Sequence, residues 1–231
     1  MSSPAVTSGL AERSGFAAVR QLDPRRNRFL LLLGSLVLLL LLSPLLECGS
    51  AGNQVLTLLF SLVLLAAVLA SSGRRWTLAV ALLLALPWLY LSWLHPLWRA
   101  DATDVAASLL IIALGLFVLG LLLQSVLGAG KVGADTLCGA IAAYLLIGVV
   151  WALSYGVIEA LDPGAFGFGE GDFETLWNQL LYFSLVTLST LGYGDITPVS
   201  AFARIWSALE AVTGTLYLAV LIARLVGVYK R

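Results

Sequence analysis

The 231-residue chain is 60% hydrophobic and 11% charged, with a mean hydropathy of +0.98 and a formal net charge of zero. The apolar share is far above, and the charged share far below, that of an ordinary soluble domain, so the composition describes an integral membrane protein. Nucleic-acid binding, which needs a concentrated basic surface, has no support.

Residues 1–28 are polar and carry Arg13, Arg20, Arg25, Arg26 and Arg28. No small-residue cleavage site follows the first apolar run, which is therefore read as a retained span. Crossing the hydrocarbon core takes about 20 apolar residues of helix. Six segments qualify, at 29–47, 53–72, 76–94, 104–127, 135–160 and 200–228. A seventh, 174–188, is too short to cross and is predicted to be a re-entrant helix, tolerated at membrane depth only when buried in protein or lining a water-filled path. Asp172 or Thr175 can cap its start. The predicted fold is an all-α membrane protein with six transmembrane helices plus the re-entrant helix. It divides into a tail (1–28), a four-helix bundle (29–127), a Gly-rich linker (128–134) and a second unit (135–231).

Basic residues sort to one side of this topology. Arg74 and Arg75 join the second and third spans, Lys131 joins the fourth and fifth, and Lys230 and Arg231 follow the sixth. The positive-inside rule makes that side cytoplasmic, with both termini. The opposite loops hold Glu47, Asp101, Asp104, Asp162, Glu170, Asp172, Glu174 and Asp195. Cys48 and Cys138 fall near opposite membrane faces, too far apart for a disulfide within one chain. His95, beside Trp93 and Trp98 near the outer end of the third span, reads as part of an interfacial aromatic belt.

After the re-entrant helix comes Thr190-Leu191-Gly192-Tyr193-Gly194, running into Asp195-Ile196-Thr197-Pro198. Carbonyl oxygens that face one axis need residues tolerant of unusual backbone angles, here Gly192 and Gly194. The pentapeptide resembles the potassium-channel filter Thr-Val-Gly-Tyr-Gly, with Leu191 as the one departure. The preceding re-entrant helix and flanking spans extend the resemblance over residues 135–231. It implies a K+ site formed by the carbonyls of residues 190–194 and the Thr190 hydroxyl, a filter mouth facing outside, and a homotetramer, because one such strand cannot surround an ion. No cofactor is implied beyond K+ as the permeant ion. Lipid is the surrounding partner, with an unidentified regulatory partner left open, and the location is a prokaryotic inner (plasma) membrane.

Within the resemblance, Tyr193 points from the ion path into a cuff where Tyr182, Phe183 and Thr187 occupy the matching places. The Tyr193 hydroxyl is expected to bond Thr187, and Tyr182 to donate to Asp195. Val186 sits behind the filter and offers no carboxylate. Four re-entrant helix ends would direct partial negative charge at a cation in the cavity. On the sixth span, Thr215, Leu218, Ile222 and Val226 share one helix face and are expected to line the cavity, with hydrophobic closure near Val226. Gly214 reads either as a hinge or as a close-packing residue.

Glu210 is an ionisable residue inside an apolar helix, and such residues usually face protein. Five residues before Thr215, it lies well off the cavity face at about 100° per residue. A bond to Ser184 or Ser189 is expected, as a structural tie or an influence on gating.

Four helices ahead of a pore unit resemble the plan of voltage-gated channels. A sensor needs several charges in its fourth helix, because each moved across 100 mV supplies only about 2.3 kcal/mol. Residues 105–130 contain no Lys or Arg, so the bundle is read as a scaffold, packed on its own pore unit across the short linker. The three residues after 228 leave no cytoplasmic ligand domain in this sequence, and the opening stimulus is not legible. Catalysis is unsupported, since no nucleophile, base and orienter converge and no metal-ligand cluster occurs. The alternatives to a potassium-selective channel are a weakly selective cation channel and a non-conducting regulatory membrane subunit.

Overall fold

The computed structural model describes residues 28–46, 60–61, 63, 75–94, 101–129, 133–168 and 175–229. Most of the second expected span, Cys48, His95, Lys131 and Asp172 lie outside them. In the described residues the chain is mostly helical.

Helix α1 (Arg28–Leu42) buries Phe29, Leu32, Leu36 and Leu39, the three- and four-residue spacing of a single apolar stripe. It is shorter than the expected 29–47. Pro44 disfavours helical geometry at the residue before it, and the chain passes through Ser43 into a 3₁₀ turn at Pro44–Leu46. Helix α2 (Arg75–Leu94) contains Pro87 and packs on α3 (Asp101–Leu127). Helix α4 (Ala134–Leu161) is the centre of the fold: α1, α3 and the re-entrant helix α5 (Leu176–Leu188) all pack on it. Small residues make this possible, since Gly139, Ala140, Ala142, Ala143, Gly148 and Ala152 are buried along α4 and let neighbouring backbones approach.

Helix α6 (Ala201–Tyr229) packs on α5 and α4. By length and composition three described helices can cross a membrane, at Val105–Leu127, Ala134–Leu161 and Ala201–Arg224, and Arg28–Leu42 and Trp76–Leu91 are shorter apolar helices.

Two features were not foreseen in the sequence. Strand β1 (Phe166–Phe168), after α4, pairs antiparallel with β2 (Ile196–Pro198), with Gly167 opposite Thr197. This clamps the segment before α6 to the end of α4, and Val199 N and Ser200 N both donate to Ala165 O. Helix α1 is also tied at both ends. Asp135 Oδ1, in the first turn of α4, accepts from Phe29 N (3.0 Å) and Leu30 N (3.2 Å), which satisfies amides that a helix start leaves unpaired. At the other end the buried Ser43 hydroxyl donates to Asn178 Oδ1 in the first turn of α5.

Candidate functional site

Helix α5 positions the segment that follows it. Thr175 is its N-cap, its side chain accepting from Asn178 N, and Ser189 closes its C-terminus. Beyond it the backbone alternates in hand. Thr190 (φ 59°), Gly192 (φ 58°) and Gly194 (φ 80°) have positive φ, while Leu191 and Tyr193 do not. Glycine takes this conformation freely, whereas Thr190 must be held in it.

The hold comes from the end of α5. Thr190 N donates to Thr187 O (2.9 Å), and Leu191 N (3.0 Å) and Gly192 N (3.4 Å) both donate to Val186 O. In a planar trans peptide the carbonyl points opposite the following amide hydrogen. With the amides of Leu191 and Gly192 turned into α5, the carbonyls of Thr190 and Leu191 therefore point away from it, on one side of the chain. A β-strand would alternate them. Val186 thus meets the segment through its main-chain oxygen. Residues 189–195 are exposed in the single chain.

Outside the carbonyl row, the Tyr193 ring stacks on Tyr182, with centroids 6.4 Å apart and planes 6° apart. Tyr182 Oη donates to Asp195 Oδ2 at 2.7 Å. That bond, ahead of contributions from backbone amides, holds the Asp195 carboxyl below its ordinary value. Thr187 contributes its carbonyl to Thr190 N. Phe183, about 100° around α5 from Tyr182, turns instead into a buried aromatic cluster, 5.1 Å from the Tyr155 ring and 5.4 Å from Phe166.

Behind α5 sits Glu210, fully buried. Its Oε1 pairs with the Ser184 hydroxyl and its Oε2 accepts from Tyr155 Oη, while Ser184 Oγ also bonds Gly148 O at 2.7 Å. One carboxyl thereby joins α4, α5 and α6. Ser189, the other expected partner, bonds Val186 O instead. The residue that sequence reasoning missed is Tyr155. Its signal was a phenol in an apolar helix, which must find a partner when buried.

Gly214 has a packing reason. A Cβ there would stand 2.1 Å from Leu188 O and 3.0 Å from Leu188 C. Helix α6 passes the end of α5 with no room for a side chain. Tyr144 Oη donates to the same Leu188 carbonyl at 3.2 Å. Thr215, Leu218, Ile222 and Val226 lie exposed on a shared face of α6, and the Thr215 hydroxyl bonds back to Ala211 O and Val212 O. Among the described residues no group of three or more His, Cys, Asp or Glu could hold a metal ion.

Two carbonyls, of Thr190 and Leu191, thus turn to one side beyond a half-length helix that lies between two full-length apolar helices. Residues 137–231 match the ion-channel family model. A stretch of 81 residues is 35% identical to the inward rectifier potassium channel Kirbac3.1 of Paramagnetospirillum magnetotacticum, covering 33% of this chain and 24% of that protein. The chain thus spans about a quarter of the relative's length. No solved structure matches. Both similarities are to ion channels, proteins that conduct and do not catalyse, and the chain is non-enzymatic on that ground. Both likenesses fit the apolar helices of a membrane protein.

Proposed function

We propose that the chain is a potassium-selective channel subunit whose Thr190, Leu191, Gly192, Tyr193 and Gly194 carbonyls, with the Thr190 hydroxyl, replace the hydration shell of K+. The observation that carries this is the alternation of backbone hand at residues 190–194, together with the amides of Leu191 and Gly192 turned into α5. Carbonyl oxygens gathered on one side form a hard-ligand row suited to an alkali cation, with no charged side chain among the five residues.

Four copies around an axis close the row, and the single-chain exposure of Leu218, Ile222 and Val226 on one face of α6 supports a partner on that side. The α6 face of Thr215, Leu218, Ile222 and Val226 then lines the inner path, with closure near Val226. Six spans place both termini in the cytoplasm of an inner membrane and the mouth outside. Without basic residues in α3, voltage acts on the filter or not at all. Glu210 ties α6 to the filter's supporting helix and is the first place to look for gating.

The test is K+ flux from liposomes that contain only the purified chain. Flux that is lost in Gly192→Val supports a self-sufficient conducting subunit. Absence of flux in the wild type favours the regulatory-subunit reading.

A further inference from the structure

An elongated apolar groove of about 610 Å³ runs between α3, α4 and α6. Its walls include Leu116, Leu119 and Leu123 from α3, Val150 from α4, and Leu216 and Val220 from α6. Along α3 the lining runs from Ile112 to Leu127, about 22 Å at 1.5 Å per residue. On α6 the groove face is opposite the proposed ion path. Val220 lies about 160° from Leu218 and Ile222 at 100° per residue.

The three hydroxyls in the lining and the Trp206 indole are already bonded within the protein. Ser154 Oγ donates to Trp151 O (2.7 Å) and accepts from Trp206 Nε1 (3.0 Å). Thr213 Oγ1 donates to Leu209 O (2.8 Å), and Tyr217 Oη to Ala140 O (2.6 Å). A polar ligand would have to compete with these bonds, whereas an alkyl chain loses nothing by entering. The end of the groove away from the filter is different. Arg224 stands one turn beyond the lining residue Leu221, and its Nη2 donates to Ala129 O at 3.0 Å, two residues past the lining residue Leu127. The guanidinium bridges the two walls at the mouth of the groove and uses one of its five N–H donors to do so.

We infer that this groove is a binding site for an anionic diacyl phospholipid, one acyl chain lying between α3 and α6 and the phosphate on Arg224. A dry slot of acyl-chain length that ends at a fixed cation complements such a lipid at both ends. Basic residues at the cytoplasmic ends of membrane helices attract anionic headgroups, and Arg224 lies at the end where the chain's other basic residues collect. The site is separate from the carbonyl row, so its occupancy can be measured whether or not the chain conducts.

The experiment is native mass spectrometry of the purified, assembled protein with an equal mixture of phosphatidylglycerol and phosphatidylcholine carrying identical acyl chains. The wild type is expected to retain phosphatidylglycerol over phosphatidylcholine by about fivefold, the factor one basic residue contributes at a membrane surface. Arg224→Gln should lose the preference and still retain lipid. Leu116→Trp and Leu216→Trp, on opposite and already exposed walls, should each reduce retention of both lipids while leaving the oligomer intact on size exclusion. An unchanged preference in Arg224→Gln would overturn the headgroup assignment, and wild-type retention in both Trp variants would overturn the acyl slot. Efficient disulfide cross-linking of Leu116→Cys to Leu216→Cys between two subunits would give the groove to a second copy of the chain instead.

Discussion

The Leu188 carbonyl oxygen lies 2.1 Å from the point where a Cβ on Gly214 would stand. The contact joins α6 to Leu188, the last residue of α5, so an added side chain has to move one of them. Gly214→Ala should destabilise the protein by about 1–3 kcal/mol, as overpacking does, and displace α5. Thermal unfolding of the purified variant, read beside its open probability, checks this. A hinge without a packing role would alter opening and leave the unfolding midpoint unchanged.

Glu210 offers a graded test. Glu210→Gln keeps a carbonyl for Tyr155 and an amide for Ser184, so stability should change little. Glu210→Ala removes the carboxylate that accepts from the buried Tyr155 hydroxyl, leaves Ser184 only its bond to Gly148 O, and should lose about 1–3 kcal/mol. A double-mutant cycle with Tyr155→Phe should show coupling, since both act on one bond. Additive losses would place Tyr155 and Glu210 in separate roles.

The geometry that was legible in the sequence is local, and the unread part has a common cause. The positive-φ glycines 192 and 194, the half-length helix before them and Glu210 behind that helix follow from glycine placement, segment length and helix angle. The β1–β2 pairing was not legible, because three residues on each side carry too short a pattern and β2 ends in a proline. Phe183 joins Tyr155 and Phe166, a choice made by what α4 and β1 bring close. Asp135 capping α1, and Ser43 meeting Asn178, join residues more than 100 positions apart, which no local pattern reports.

The Tyr182–Asp195 bond sets a pH dependence. Because the folded-state pKa of Asp195 is lowered from 3.8, the bond's contribution is complete above that value and lost only as external pH falls through the lower folded value. Mild external acid should therefore leave the outer filter unaffected. Tyr182→Phe removes the main cause of the shift, and the acid sensitivity of current should move up toward 3.8. An identical acid profile in the variant would show that this bond does not govern the mouth.

The α1 tie predicts communication between α1 and α5. Ser43→Ala and Asn178→Ala should each destabilise by about 0.5–1.5 kcal/mol, the net worth of a typical hydrogen bond, or more where a buried group is left unpaired. Their effects on filter stability should be non-additive. Hydrogen exchange of α5 amides in the two single variants and the double variant measures this, and full additivity would argue against a direct tie.

The central claim is that the Thr190–Gly194 carbonyl row selects K+. Its most direct test is the reversal potential of current through the purified chain in a planar bilayer with K+ on one side and Na+ on the other. The account predicts a reversal potential close to the K+ equilibrium limit, lost when Gly192 is replaced by a β-branched residue. A wild-type reversal near zero, with Na+ carrying current as readily as K+, would contradict it.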